Sequence, residues 1–182
     1  MWWIGWVLGG CGNPVPTDTT DTDPTDTDSC SAPLQCTVGT GEQTFHPLAP
    51  GGDLQLVHGP QGGWHLNAAL YAENTSQVLQ ILPLLTDPLT GTVLAGGDGL
   101  ADTYNQALIL DGECSGESAG IRAIFDGADL AHICSLQGQP LELRLEIRSQ
   151  SSEEAACSAQ GVVVLDPIDV HPCAALATGS TE

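Results

Sequence analysis

The feature that most constrains this chain is a strict alternation of apolar and charged side chains over residues 141–148, Leu-Glu-Leu-Arg-Leu-Glu-Ile-Arg. A period of two puts the apolar side chains on one face of a β-strand and the charged ones on the other. Residues 64–70 alternate in the same way. Further short strands are predicted near residues 54–56, 77–86, 92–95, 107–110, 121–125 and 162–165. Residues 128–135 are expected to add one short turn of helix. Short strands separated by polar turns predict an all-β fold, an antiparallel β-sandwich of about seven to nine strands.

The charge of the chain excludes some partners. Its 182 residues include 23 Asp and Glu but only three Arg and no Lys, which gives a formal net charge of -20. Such a surface repels nucleic-acid phosphates, so we expect no nucleic-acid binding. It also repels anionic lipid, so any membrane attachment must be covalent or apolar.

Residues 1–10 are wholly apolar and end at Cys11. A ten-residue helix spans about 15 Å, too short to cross a bilayer, so the segment is interpreted as the apolar part of a signal peptide. Residues 8–11, Leu-Gly-Gly-Cys, resemble the lipobox of bacterial lipoproteins, although no Lys or Arg precedes the apolar run. The resemblance implies cleavage before Cys11 and acylation of Cys11, with palmitate or a similar chain. Gly12 stands where that family has Asp as an inner-membrane retention signal, which favours the outer membrane.

Residues 11–35 are predicted to form the lipid anchor and a disordered, acidic linker. From Thr17 to Ser29 the linker consists of Thr, Asp, Pro and Ser, so it has too few apolar side chains to fold. Repulsion between its Asp side chains extends it as a spacer. Calcium binding by these Asp residues is an alternative, but no closing Glu is present.

The chain has seven cysteines, an odd number. Assigning Cys11 to a lipid leaves six, which in an oxidising compartment predicts three disulfides. The candidates are Cys30, Cys36, Cys114, Cys134, Cys157 and Cys173. Of the many pairings, Cys114–Cys134 is the one expected, since these two are near in sequence and flank a predicted hairpin. We expect the β domain to span residues 36–173, with a disordered tail at 174–182.

Two stretches of this domain resemble known modules. Residues 39–65, which include Gly-Thr-Gly-Glu and Leu-Val-His-Gly-Pro-Gln-Gly-Gly-Trp-His, are similar to a signature of uncharacterised lipoproteins from high-GC Gram-negative bacteria. Residues 136–147 are similar to the penultimate strand of immunoglobulin-like modules. Together the resemblance covers about residues 36–166 and implies an immunoglobulin-like β-sandwich of the cell envelope. It implies no activity and no functional residues.

Residues 116–120, Gly-Glu-Ser-Ala-Gly, match the nucleophile elbow of serine esterases, with Ser118 as nucleophile and His58-Gly59 as an oxyanion-hole loop. An elbow requires a strand before the Ser and a helix after it, whereas residues 121–125 predict a strand. Too little chain follows Ser118 to complete such a fold. A serine hydrolase is therefore an alternative, and we expect no enzyme activity.

The loop between residues 59 and 63 is the preferred binding surface, with His58, Gln61 and His65 as candidate residues. The two His could bind copper or zinc, with His46 as a further ligand of either one. However, if Trp64 faces the core, the hairpin places His58 on the inner face and His65 on the outer one. Calcium at loop carboxylates is a further alternative, at Asp98, Asp102, Asp126 and Asp129. No cofactor is expected.

The sequence thus predicts a lipid-anchored protein of the cell envelope, in the outer membrane and facing the periplasm or the cell surface. Its domain is expected to be a non-enzymatic binding or structural module with an envelope protein or a glycan as partner. The alternatives are the Ser118 hydrolase and a metal-binding envelope protein.

Overall fold

The computed structural model describes residues 30–97 and 103–178. Over these ranges the chain forms eleven strands and two helices. In chain order they are β1 (Gln35–Thr40), β2 (His46–Pro47), β3 (Gly52–His58), β4 (Trp64–Glu73), β5 (Val78–Thr86), β6 (Val93–Gly96), β7 (Tyr104–Ala107), β8 (Ile109–Leu110), β9 (Ser115–Phe125), α1 (Leu130–Ser135), β10 (Pro140–Ser149), β11 (Glu154–Val164) and α2 (Pro167–Thr178). The predicted all-β, disulfide-braced fold is confirmed.

The strands lie in two layers that share one strand. In the first layer, β4 pairs with β9 on one edge and with β1 and β3 on the other, while β2 and β8 extend it. In the second, β10 lies between β5 and β11, and β6 and β7 both pair with β5. Strand β3 joins the layers because its first residues pair with β11 and its last with β4. The strands β5, β6 and β7 contact β9 across the interior, as in a sandwich.

Two details differ from the antiparallel sandwich of seven to nine strands. The β3–β11 pair is parallel, since β3 crosses from one layer to the other and meets the last strand of the chain running in the same direction. There are eleven strands in the described residues, but two of them, β2 and β8, have two residues each. Such short pairings leave no periodic signal in the sequence.

The core is built from the inner faces of both layers. The four apolar side chains of β10 are at most 3% exposed, which confirms the alternation over residues 141–148. In β4, by contrast, Ala68, Ala69 and Leu70 are all buried. The register of β4 against β9 shifts between Ala68 and Leu70, where β9 carries one extra residue, and the inward alternation of β4 continues through Leu70.

The disulfides join residues far apart in sequence. They are Cys30–Cys114, Cys36–Cys157 and Cys134–Cys173, so three bonds form among the six predicted cysteines. The expected Cys114–Cys134 pairing is wrong. The eleven residues of β9 separate the two, and a strand of that length spans about 36 Å, whereas the Cα atoms of a disulfide lie about 4–7 Å apart.

The boundaries of the domain are wider than predicted. Cys30 is bonded to Cys114, and Leu34 is 8% exposed, so residues 30–35 belong to the fold rather than to the linker. Helix α2 continues to Thr178, so residues 174–178 of the predicted tail are helical. The predicted signal segment, Cys11 and the predicted linker up to residue 29 lie outside the described residues, as do residues 179–182.

Both helices begin at an Asp. Asp129 is the N-cap of α1, and its side chain accepts a hydrogen bond from the backbone N–H of His132 at 2.8 Å, which confirms a short helix in residues 128–135. Asp166 precedes α2 and accepts from the backbone N–H of Ile168 at 3.0 Å, with Pro167 at the first helical position, where its missing N–H costs nothing.

The sandwich has two distinct ends. At one, Gln35 and Ser115 pair opposite Glu73, the last residue of β4, and the Cys30–Cys114 disulfide lies beside them. We call this the tether end, because the described chain begins there. At the other, His58 and Phe125 pair opposite Trp64, the first residue of β4. Helices α1 and α2 follow β9 and β11 at that end, which we call the helix end.

Candidate functional site

The loop between β3 and β4 is a tight hairpin at the helix end. The backbone N–H of Gly59 donates to the carbonyl of Gly63 at 2.9 Å, and that of Gly62 donates to the carbonyl of Gly59 at 3.0 Å. Gly62 and Gly63 have φ values of 81° and 86°, a left-handed conformation that favours glycine. The loop is therefore a fixed turn that positions the two residues on either side of it, His58 and Trp64.

His58 and Trp64 meet at one buried carboxylate. Asp169, on α2, is 2% exposed. One of its oxygens lies 2.8 Å from His58 Nδ1, and the other accepts from Trp64 Nε1 at 2.7 Å. The two rings are in contact, with centroids 4.8 Å apart. We call these three residues the Asp169 clamp; it connects α2 to the β3–β4 hairpin.

The Asp169 clamp fixes the tautomer of the neutral His58 ring. Because a carboxylate oxygen accepts at Nδ1, that nitrogen carries the proton in the neutral ring and Nε2 is left as an acceptor. The His58 side chain is 28% exposed. In the described part of the chain no hydroxyl group is hydrogen-bonded to this ring.

A second carboxylate supports the clamp. Asp166 accepts from the backbone N–H of Ile168 and, at 3.0 Å, from that of His58. These hydrogen bonds stabilise the charged form and hold the pKa of Asp166 below its usual range, the bond from Ile168 contributing most. Asp166 therefore carries a negative charge at neutral pH and joins the start of α2 to the end of β3.

The three predicted binding residues do not converge. His58 lies on the inner side opposite Trp64, as the parity of the strands predicts, and Gln61 is exposed at the tip of the loop. His65 lies on the other face of β4, opposite Ile124. Burial, and then the nearby Arg122, lower the pKa of His65, so its ring is neutral at pH 7. His58 and His65 do not share one site.

The predicted metal ligands are likewise dispersed. Within residues 30–97 and 103–178, no group of three or more His, Cys, Asp and Glu side chains is placed to hold a metal ion. His46 is exposed and contacts Thr44, and Asp129 caps α1. Asp98 and Asp102 lie outside the described residues, as do the Asp side chains of the linker.

Ser118 is part of a strand rather than of a nucleophile elbow. It is 5% exposed in β9, and its Oγ donates to Gln106 Oε1 at 3.3 Å. The flanking glycines have packing roles. A Cβ on Gly116 would lie 2.6 Å from the carbonyl oxygen of Ile109, and Gly120 has φ 71° with the carbonyl of Glu42 close by. Pairing with β8 therefore accounts for Gly116, and the positive φ together with the close β1–β2 loop accounts for Gly120.

A cleft lies between the two helices, with a volume of about 580 Å³. We call it the helix cleft; its apolar lining includes Ala131, Leu165, Val170, Leu176 and the Cys134–Cys173 disulfide. The two polar side chains in it are bonded within the protein. Gln137 Oε1 accepts from the backbone N–H of Leu165, and Ser135 Oγ donates to the carbonyl of His132. The open surface of the cleft is therefore apolar.

Sequence reasoning missed Asp166, Asp169 and the helix that carries them. Pro167 and Pro172 argue against a helix, and α2 has no apolar stripe of helical period. The available signal is the order Asp166-Pro167, an N-cap residue followed by Pro at the first helical position, and then the Ala-rich end of the helix.

The comparisons with known proteins identify no family. No family model matches the chain, and no curated protein matches it. Among solved structures, the N-terminal domain of PorA overlaps 71% of this chain and 97% of its own, at a TM-score of 0.30 and 10% identity. The CooA pilin subunit from enterotoxigenic Escherichia coli overlaps 72% of this chain and 99% of its own, at a TM-score of 0.25 and 10% identity. Likenesses this low support no statement about function.

Neither described helix is long and apolar enough to cross a membrane.

Proposed function

We propose that this chain is a lipid-anchored protein of the bacterial cell envelope, whose β domain is a non-enzymatic binding or structural module. One observation carries the proposal. All six cysteines of the described residues are paired with one another, so Cys11 is the single cysteine of the chain outside these disulfides. It stands directly after the apolar segment of residues 1–10, where the lipobox-like Leu-Gly-Gly-Cys places an acylated cysteine.

The long-range disulfides support export. Their sequence separations are 84, 121 and 39 residues, so each closes a large loop. Such bonds persist in oxidising compartments and are rare where glutathione and thioredoxin keep thiols reduced. A Gram-negative periplasm or cell surface meets this requirement, and Gly12 after Cys11 favours the outer membrane.

The two ends of the sandwich suit a tethered module. The linker enters at Cys30, at the tether end, so the helices, the β3–β4 hairpin and the helix cleft lie at the opposite end. A linker of like charges extends away from an anionic membrane. The helix end is then the part of the domain directed away from the membrane.

Metabolic labelling with a palmitate analogue tests the anchor. We expect the wild-type chain to incorporate the label and to lose residues 1–10, and we expect Cys11→Ala to remain an unlabelled precursor. The matched control is the double variant Cys134→Ala/Cys173→Ala, which removes two disulfide-bonded cysteines but keeps Cys11 and should still be labelled. Equal processing of Cys11→Ala and wild type would contradict the proposal.

A screen of the purified chain against diverse esters tests the absence of enzyme activity. We expect no turnover above background, because Ser118 is buried in a strand and bonded to Gln106. Robust turnover that disappears in Ser118→Ala would replace the proposed module with a hydrolase.

A further inference from the structure

The helix cleft is an apolar site with rigid walls. Its volume of about 580 Å³ lies within the usual range of ligand sites, about 300–1,000 Å³. The Cys134–Cys173 bond joins its two helices covalently, and the Asp169 clamp fixes the first turn of α2 to the β3–β4 hairpin. A cleft held in this way loses little conformational entropy when it is filled.

Large apolar side chains of α2 are exposed, and two of them line the cleft. Leu176 and Val170, which line it, are 49% and 54% exposed, and Ile168 on the same helix is 65% exposed. A helix that keeps its large apolar side chains in water while its only buried residue is an Asp is not packed as a core helix. These side chains are available to contact a partner.

The charge around the cleft has one sign. Residues 126–138 and 164–178 contain four Asp, and neither stretch contains Lys or Arg. Asp129 and Asp166 stand at the starts of the two helices that form the cleft, and Asp166 is ionised at neutral pH. An apolar ligand with a carboxylate or phosphate head, such as a fatty acid, is repelled here, whereas a cationic one is attracted.

From this position, shape and charge we propose that the helix cleft binds an apolar segment of a partner polypeptide that is flanked by Lys or Arg. Two or more large apolar side chains of the segment fill the cleft beside Leu176, and the flanking cations face the Asp side chains at the helix starts. This inference deepens the proposed binding module and rests on it for the direction of the cleft, away from the membrane.

The test is fluorescence anisotropy with the full chain in detergent and three labelled synthetic peptides. One peptide carries Leu side chains at helical spacing between Lys residues. The second has Glu in place of Lys, and the third has Ser in place of Leu. We expect saturable binding of the first peptide alone, weakening as the salt concentration rises, since the surface charges are then screened.

Two matched variants test whether the peptide binds in the helix cleft. Leu176→Ser removes a large apolar side chain from the cleft and should weaken binding about tenfold. Ile124→Ser removes one of nearly equal exposure, 47%, from the outer face of β9 and should leave binding unchanged. Both sites are on the surface, so both variants are expected to fold.

Equal binding of the Lys and Glu peptides, no binding of the Lys peptide, or equal effects of the two variants would each overturn the proposal. Failure of acylation at Cys11 with intact peptide binding would remove the envelope anchor but leave the cleft as a binding site. Normal acylation without peptide binding would keep the envelope anchor but rule out the cleft as the proposed binding site.

Discussion

Strand β10 and helix α2 are held to the molecule in opposite ways. Strand β10 pairs along both edges, with β5 and β11, and buries four apolar side chains. Helix α2 buries a single residue, Asp169, and is attached by the Asp169 clamp, by the hydrogen bonds of Asp166 and by one disulfide. The stabilisation of β10 is spread over many contacts, whereas that of α2 is concentrated in a few polar and covalent ones.

The contrast implies two kinds of stability in one domain. Loss of a contact in β10 should weaken the whole fold, because the sheet is cooperative and its core is shared by both layers. Loss of a contact in α2 should release the helix while the sheet remains, since few other groups hold it. Each prediction below tests this difference.

The largest effect is expected from removing the disulfide of α2. In the double variant Cys134→Ala/Cys173→Ala, the chain-entropy model gives a loss of about 4 kcal/mol in the free energy of unfolding for a loop of this length. At low denaturant, amide hydrogen exchange should accelerate first in α2 and remain slower in β10 than in α2. The measurements are urea unfolding and hydrogen exchange by mass spectrometry.

The control for that prediction is Cys36→Ala/Cys157→Ala, which unlinks β1 from β11. These two strands are not hydrogen-bonded neighbours, so this bond connects the two layers. Exchange should then accelerate in the sheet and not only in α2. Identical exchange patterns in the two double variants would refute the proposed difference between strand and helix.

A core truncation in β10 comes next in size. Leu145 is fully buried, and Leu145→Ala should lower the free energy of unfolding by about 3 kcal/mol through lost burial and a cavity. The neighbouring Glu146 lies on the solvent-facing side of β10 and forms an ion pair with the exposed Arg144. Glu146→Ala should therefore change the free energy of unfolding by less than about 0.5 kcal/mol. Comparable losses for the two variants, measured by urea unfolding, would show that the alternation does not divide core from surface.

The same contrast explains how much of the fold the sequence predicted. The strand over residues 141–148 could be predicted from those residues alone, because a period of two is a local pattern. The structure has that strand from Pro140 to Ser149. The pairing of His58 with Trp64 was also predictable, since it follows from parity across a short hairpin. Both features depend on residues close together in the chain.

What the sequence did not predict depends on residues far apart. Asp169 lies 105 residues from Trp64 and 111 from His58, and each disulfide joins residues 39 or more positions apart. No periodic pattern marks such partners. The bulge in β9 and the layer change of β3 likewise depend on pairing with distant strands, so the parallel β3–β11 pair could not be found from the pattern of either strand.

A smaller effect is expected at the clamp itself. Asp169→Asn keeps the size of the side chain but replaces one acceptor oxygen with a donor, so either Trp64 Nε1 loses its acceptor or His58 must move its proton to Nε2 and accept at Nδ1. We expect a loss of about 2 kcal/mol in the free energy of unfolding, together with faster exchange in α2. The chemical shift of the Trp64 indole proton should move toward that of a water-exposed indole.

The matched control for the clamp is Asp129→Asn. Asn caps a helix about as well as Asp, so stability should be nearly unchanged. If Asp169→Asn also left stability unchanged, the buried carboxylate would not be what holds α2, and the helix would be attached by the disulfide and by Asp166.

The smallest effect, and the one with a distinct signature, is expected at Asp166. Its carboxylate accepts from Ile168 and His58, and these bonds lower its pKa. A group whose folded pKa is depressed adds stability above its unfolded pKa, near 4, and that stability is lost as the pH falls through the folded value. Asp166→Ala should therefore cost about 1 kcal/mol at pH 7, the usual value of a helix cap, and progressively less below pH 4.

Urea unfolding of both proteins at a series of pH values measures the difference in the free energy of unfolding, and hydrogen exchange in α2 at pH 7 shows where the stability is lost. A cost that stays constant down to pH 2 would mean that Asp166 acts through packing, and that α2, like β10, is held by contacts that do not depend on charge.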